Sequence, residues 1–233
     1  MKGEGLTLEP IARIRTEFPE KFGIPRQSGL VEQLQARVEF LPEFRIPEAL
    51  RGLEGFSHIW LIWEFSQNQG WSPTVRPPRL GGNKRMGVFA TRSPFRPNPL
   101  GLSCVRLEGI DWDSPQGPVL LVGGADLLDG TPIYDVKPYV PLSDCRPEAV
   151  GGFSDAHRED RLEVDFPAQL LDKVPEKKRT ALLGVLSQDP RPSYHGDPQR
   201  IYGMAFAGME IKFTVEQGTL HVCAVESTTK GML

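Results

Sequence analysis

Between Glu64 and Glu108 the chain carries neither Asp nor Glu, yet Arg76, Arg79, Lys84, Arg85, Arg92, Arg96 and Arg106 fall inside that span. The whole chain has a formal charge of −3, so a stretch at +7 leaves −10 for the remainder (−3 − 7 = −10). Such a local excess in an acidic chain points to an anionic partner. Residues 81–102 of this span read GGNKRMGVFATRSPFRPNPLGL. Pro94, Pro97 and Pro99 fix their own φ angles and push the residues before them toward extended conformations, so Arg92 and Arg96 are held on stiff backbone. Gly81, Gly82 and Gly87 let the main chain approach a ligand closely and donate its N–H groups.

Three further stretches carry groups able to do chemistry. Pro25-Arg26-Gln27 places a guanidinium and an amide in a turn, and Asp126-Leu-Leu-Asp129-Gly130-Thr131 is a turn whose carboxylates accept hydrogen bonds. The basic span supplies no such acceptor, which a cationic or hydroxyl-bearing cofactor needs; Lys137, a little further on, is read as facing the same pocket. Asp189-Pro-Arg191-Pro-Ser-Tyr194-His195 holds an arginine between two prolines and adds a stacking ring and a titratable imidazole. Arginines that hold phosphates and rings that stack on bases recur in both proline-stiffened loops, which makes RNA a reasonable partner.

Other chemistries find no support. HExxH, GxSxG and Walker sequences are missing, and His58, His157, His195 and His221 are too scattered to suggest a metal cluster. Cys104, Cys145 and Cys223 form no CxxC pair; Cys104 and Cys223 sit in apolar strand patterns and read as core residues. With 39% hydrophobic and 24% charged residues over 233 positions the composition is that of a globular chain. No signal-peptide stretch or apolar run of about 18 residues occurs, so the expected location is the cytoplasm.

The elements that must position these residues are mostly short strands: Ile11 to Thr16, Ala36 to Leu41, Phe56 to Phe65, Met86 to Thr91, Gly101 to Leu107, Pro118 to Gly123 and Ile133 to Val136, with a helical turn at Pro47 to Arg51. Strands at this spacing, punctuated by Gly and Pro, predict a closed or nearly closed β-barrel. Residues 146–160 read as a linker within a Pro-, Gly- and charge-rich stretch. Beyond it, Glu176 to Gln188 suits an amphipathic helix, and runs Ile201 to Val215 and Thr219 to Val225 suit a hairpin closing at Gln217-Gly218. The fold class is thus mainly β, with a barrel over residues 1–145 and a small α+β domain over 161–233.

Met86-Gly-Val-Phe-Ala-Thr-Arg-Ser-Pro-Phe-Arg-Pro-Asn-Pro-Leu-Gly, together with Pro25-Arg-Gln, Arg51-Gly-Leu-Glu-Gly-Phe-Ser-His-Ile-Trp60 and Asp126-Leu-Leu-Asp-Gly-Thr-Pro132, closely resembles the TsaA/TrmO family, and Asp189-Pro-Arg-Pro-Ser-Tyr-His195 resembles the C-terminal motif of its two-domain bacterial members. The resemblance implies an S-adenosylmethionine-dependent tRNA methyltransferase acting on N6 of N6-threonylcarbamoyladenosine 3′ of the anticodon, a barrel cofactor domain and a homodimer. The sequence agrees in having no GxGxxG after a strand. Carried over, the cofactor site comprises Pro25, Arg26, Gln27, Ser66, Gln67, Arg92, Leu102, Asp129, Gly130 and Thr131; Ser66 stands where relatives commonly have His.

Methyl transfer to a ureido nitrogen releases a proton, for which Tyr194 or His195 is the candidate base and Asp189 the orienting group. Arg96 joins Arg92 as a steering group for the substrate's carboxylate or a phosphate, and Arg76, Arg79, Lys84, Arg85 and Arg191 are candidate RNA contacts. The rival reading is a non-catalytic RNA-binding barrel with no cofactor.

Overall fold

The computed structural model describes residues 6–77, 80, 84–157, 161–191 and 197–228, the side chains of 156 and 157 excepted. Six strands close a barrel: β1 (Ala12–Arg15), β2 (Gln35–Phe40), β3 (His58–Glu64), β6 (Leu100–Asp111), β7 (Val119–Gly123) and β8 (Pro132–Pro138), in the order β1-β2-β7-β6-β3-β8 and antiparallel throughout. Alternation of side chains along each strand fills the interior. Ile59, Leu61 and Trp63 of β3 point inward with Ala36, Val38 and Phe40 of β2, and they meet Ile14, Val105 and Ile133 in one apolar cluster. Closing the ring leaves no barrel edge open to another chain.

Two irregularities shape the barrel. Leu107 pairs with Val122 and Gly109 with Leu121, which leaves Glu108 as an extra residue in β6. Ile62 pairs with Asp135 and Trp63 with Ile133, which leaves Tyr134 extra in β8. A bulge of this kind re-aims the side chain it carries, and the Tyr134 hydroxyl donates to Glu64 Oε2 at 2.6 Å.

The expected strand over Met86 to Thr91 is shorter: β4 (Thr74–Val75) pairs with β5 (Met86–Gly87), and a 3-10 turn over Val88–Ala90 follows at once. Pro47–Leu50 is likewise a 3-10 turn. Residues between the barrel and the second unit hold helix α1 (Pro141–Asp144) and a 3-10 stretch, Gly152–His157.

The second unit consists of β9 (Glu163–Asp165), α2 (Ala168–Leu171), α3 (Glu176–Ser187), β10 (Tyr202–Phe206), β11 (Met209–Glu216) and β12 (Thr219–Ser227), with sheet order β10-β11-β12-β9. The run Ile201 to Val215, read from sequence as continuous, is two strands. Ala207 and Gly208 both have positive φ, 51° and 75°, and turn the chain in two residues, as Gln217 and Gly218 do at the expected hairpin. Ala is an unusual residue for that turn, which is why the sequence hides it.

Cys223 is exposed and Cys104 half-buried, against the expectation of core positions. Phe213 pairs with Val222 and Lys212 with Ala224, so Cys223 is the extra residue of a bulge and the inward phase passes from Leu220 and Val222 to Val225.

The two units share packing. The excursion between β1 and β2 sends Phe18, Val31 and Leu34 into a core with Leu182, Met204, Phe206 and Phe213, and Glu17 pairs with Lys178 of α3. No helix among the described residues is long and apolar enough to cross a membrane.

Candidate functional site

A cleft of about 1840 Å³ opens at the barrel end where β3 finishes and β6 begins. Its walls are the excursion from Lys21 to Leu30, the loops over 65–77 and 85–96, the start of β6, and residues Arg146 to Asp155. The volume is well above that of a typical small-molecule pocket, roughly 300–1,000 Å³, which leaves room for more than one small group. Arg146 to Asp155, within the stretch 146–160 read as a linker, thus contribute one wall.

The basic loop is stiffened as its prolines predict, and by more than prolines. The Asn68 amide donates to the Pro94 carbonyl at 2.9 Å, the Ser72 N–H to the Phe95 carbonyl at 3.1 Å, and the Phe65 N–H to the Pro99 carbonyl at 2.9 Å. Arg96 donates from Nη1 to the carbonyls of Val88 and Thr91, and its guanidinium lies 5.7 Å from the Phe89 ring centre. One face of that cation therefore holds the loop shape. Arg92 donates from Nη1 to Gln27 Oε1 at 2.5 Å, joining the loop to the Pro25-Arg26-Gln27 turn across 65 residues of sequence.

Pro25, Arg26, Gln27, Ser66, Gln67, Arg92, Leu102 and Thr131 all line this one cleft, as do Arg76, Arg85 and Arg96. Asp129 and Gly130 are not on its wall. They pair with the end of β1: the Thr16 N–H donates to Asp129 Oδ1 at 3.0 Å, and Arg13 Nη1 donates to the Gly130 carbonyl at 2.9 Å. Lys84 is exposed but is not a lining residue. Arg79, Tyr194 and His195 lie outside the described residues.

Asp189 and Arg191 are also off the cleft wall and bind each other. Asp189, at φ 50° just beyond α3, accepts from Arg191 Nε at 2.8 Å and Nη2 at 2.9 Å, a two-pronged pair that raises the Arg191 pKa. Arg106 leaves the set of available cations, because Glu108 and Glu32 pair with it. Lys137 sits at the far end of β8, ion-paired with Asp135 at 2.8 Å, not in the cleft.

Sequence reasoning passed over two lining groups, Trp63 and Glu64, and the buried Ser103 that joins Trp63 to Asp126. Trp63, 7% exposed, donates from Nε1 to Ser103 Oγ at 2.9 Å, and Ser103, fully buried, donates to Asp126 Oδ1 at 2.6 Å. Burial pushes the Asp126 carboxyl up on balance, against the Ser103 hydrogen bond, backbone N–H donors and the nearby Arg92 charge, which pull it down. Glu64 accepts from Tyr134, whose phenol is pushed up to about 12, chiefly by that hydrogen bond. Ser103 and Trp63 alternate with apolar neighbours and read as ordinary strand residues, so only the apposition of β3, β6 and the turn after β7 reveals the relay. Seven lining side chains are cationic (Lys21, Arg26, Arg76, Arg85, Arg92, Arg96, Arg146) and three are acidic (Glu64, Asp126, Asp155). A +4 balance (7 − 3) suits a polyanion.

Comparison with known proteins matches this architecture from end to end. The family model described as the tRNA-methyltransferase O N-terminal domain matches residues 13–145, and that of the TrmO C-terminal domain matches residues 159–228. The tRNA (adenine(37)-N6)-methyltransferase of Escherichia coli is 39% identical over 228 residues, covering 94% of this chain and 97% of the relative. A putative S-adenosylmethionine-dependent methyltransferase of Pseudomonas aeruginosa is 42% identical over 215 residues, covering 88% and 90%. The crystal structure of TrmO from P. aeruginosa superposes with a TM-score of 0.79 at 35% identity, covering 96% of this chain and 98% of that one. With both family models matched in order and the barrel, basic cleft and second domain all present, the chain belongs to the TrmO family.

Proposed function

We propose that this chain methylates N6 of adenosine 37 in tRNA with S-adenosylmethionine as donor, and that its substrate base carries the threonylcarbamoyl group. The observation that carries this reading is the convergence, in one cleft of a TrmO-family barrel, of Pro25-Arg26-Gln27, Ser66-Gln67, Arg92 and Leu102 from four separate segments. Main-chain turns, amides and an apolar patch suit an adenosine and an amino-acid tail, and Asp126 and Glu64 supply acceptors for its cationic and hydroxyl groups. When bound, S-adenosylmethionine supplies a methyl group already made electrophilic by a sulfonium.

The chain then has to align, shield and steer. The braced loop over 88–96 fixes Arg92 against Gln27, so the reacting groups meet on rigid backbone, an effect that contributes several kcal/mol in well-oriented reactions. Arg76, Arg85 and Arg146 at the same cleft suit the tRNA phosphates, and Arg92 suits either the carboxylate of the threonyl group or a phosphate. Proton removal from N6 falls to Tyr194 or His195.

The family resemblance implies a homodimer, in which the C-terminal motif serves either its own cleft or the partner's. Transfer of labelled methyl to tRNA with and without the threonylcarbamoyl group tests the substrate: transfer only to the modified tRNA is expected, and equal transfer to both sinks the carboxylate assignment. Mixing inactive Arg92→Ala and Arg191→Ala chains tests the dimer, since activity returns only if sites are shared between subunits. Arg92→Ala alone should abolish transfer with an unchanged circular dichroism spectrum.

A further inference from the structure

Seven of the charged side chains around the cleft are cations, yet the proposed donor is itself positive at sulfur. A cation entering such a site is repelled unless a fixed negative charge lies within a few ångströms of it. Three carboxylates line the cleft, and they differ in how they are held. Asp155 is exposed and accepts the Gly151 N–H through Oδ2; Glu64 receives the Tyr134 phenol. Asp126 is sunk deeper, against fully buried Ser103.

The hydrogen bonds around Asp126 run toward its carboxylate. A tryptophan Nε1 can only donate. Ser103 Oγ therefore accepts from Trp63, and its single hydrogen is left for Asp126 Oδ1, 2.6 Å away. That oxygen accepts the Ser103 hydrogen, which favours the ionised carboxylate against the burial that pushes its pKa up. Arg92 gives its Nη1 hydrogen to Gln27 and acts on Asp126 through space. The result is a desolvated negative charge, oriented by neutral donors on the wall of a cationic cleft.

We infer that Asp126 is a specificity-determining residue that reads the positive charge at sulfur, and so separates S-adenosylmethionine from its uncharged thioether product, S-adenosylhomocysteine; this rests on the cleft being the cofactor site. Once the methyl group has left, the attraction to Asp126 is gone and the product is released more readily.

The test is titration calorimetry on the full chain with three probes: S-adenosylmethionine, S-adenosylhomocysteine, and sinefungin, which carries an amine in place of the sulfonium. Asp126→Asn keeps the shape and removes the charge. It should weaken S-adenosylmethionine and sinefungin by at least about tenfold and leave S-adenosylhomocysteine within about twofold. Ser103→Ala, which keeps the carboxylate but removes its orienting donor, should shift the same two ligands in the same direction by less. Equal weakening of all three probes by Asp126→Asn overturns the inference, because Asp126 would then touch a part they share; no weakening of any overturns it too. Leu102→Trp, which fills the cleft from a half-exposed position, separates the two claims. Loss of all three probes supports the cofactor site whatever Asp126 does, and unchanged binding overturns both.

Discussion

Tyr134 shows how a single residue can be decided by its place in a bulge. As the extra residue of β8 it leaves the regular alternation, and its hydroxyl reaches Glu64 at the cleft. Its phenol is raised from 10.0 to about 12, which means the folded chain holds the proton more tightly than the unfolded one. Stability from this contact is complete below about pH 10 and is lost as pH rises from 10 toward 12. Chemical denaturation across that window should show Tyr134→Phe losing less stability with pH than the parent chain, and ultraviolet difference absorbance should lose the component titrating near pH 12; identical pH profiles would contradict it. The sequence places Tyr134 in the expected strand Ile133 to Val136 but gives no sign of its partner, since Glu64 lies 70 residues away. Arg96 is the opposite case. Its proline neighbours announce a held side chain, and the structure adds what holds it: two carbonyls and the Phe89 ring.

At the scale of elements, two glycines carry close approaches that no larger residue fits. A Cβ on Gly101 would stand 2.3 Å from the Trp63 ring, the ring whose Nε1 begins the relay to Asp126. Gly101→Ala should therefore cost about 1–3 kcal/mol as overpacking, lower the melting temperature, and change Trp fluorescence. Gly23 has φ +94°, and a Cβ there would stand 2.3 Å from Met204 Sδ on β10. It sits two residues before Pro25, in a segment that lines the cleft on one side and packs into the second unit on the other. Gly23→Ala should weaken S-adenosylmethionine binding measured by calorimetry, although Gly23 is not among the residues that line the cleft; unchanged affinity with a lowered melting temperature would limit its role to packing. The strands of the barrel were legible from apolar alternation because a closed barrel buries one face of every strand. The split between β10 and β11 was not, because Ala207 takes a turn conformation its type does not advertise.

The whole molecule is coupled through the excursion between β1 and β2. Phe18, Val31 and Leu34 are buried among residues of α3, β10 and β11, and Glu17 pairs with Lys178 across the same boundary. Two independent domains would melt separately; this chain should show one calorimetric transition, and Glu17→Ala should lower it by no more than about 1 kcal/mol because the pair is partly exposed. Two resolved transitions would contradict the shared core. From sequence alone follow the barrel class, the basic stiff loop and the residues of the Pro25-Arg26-Gln27 and Arg92 motifs. Those properties are set by φ restriction, side-chain alternation and charge, all of which act between near neighbours in the chain. Only the tertiary structure decided that these motifs share one cleft, that residues 146–155 wall it, and that Trp63, Ser103 and Asp126 form a relay. The physical reason is separation: the relay joins positions 63, 103 and 126, and hydrogen bonds over such spans arise from strand pairing and barrel closure, which no local propensity encodes.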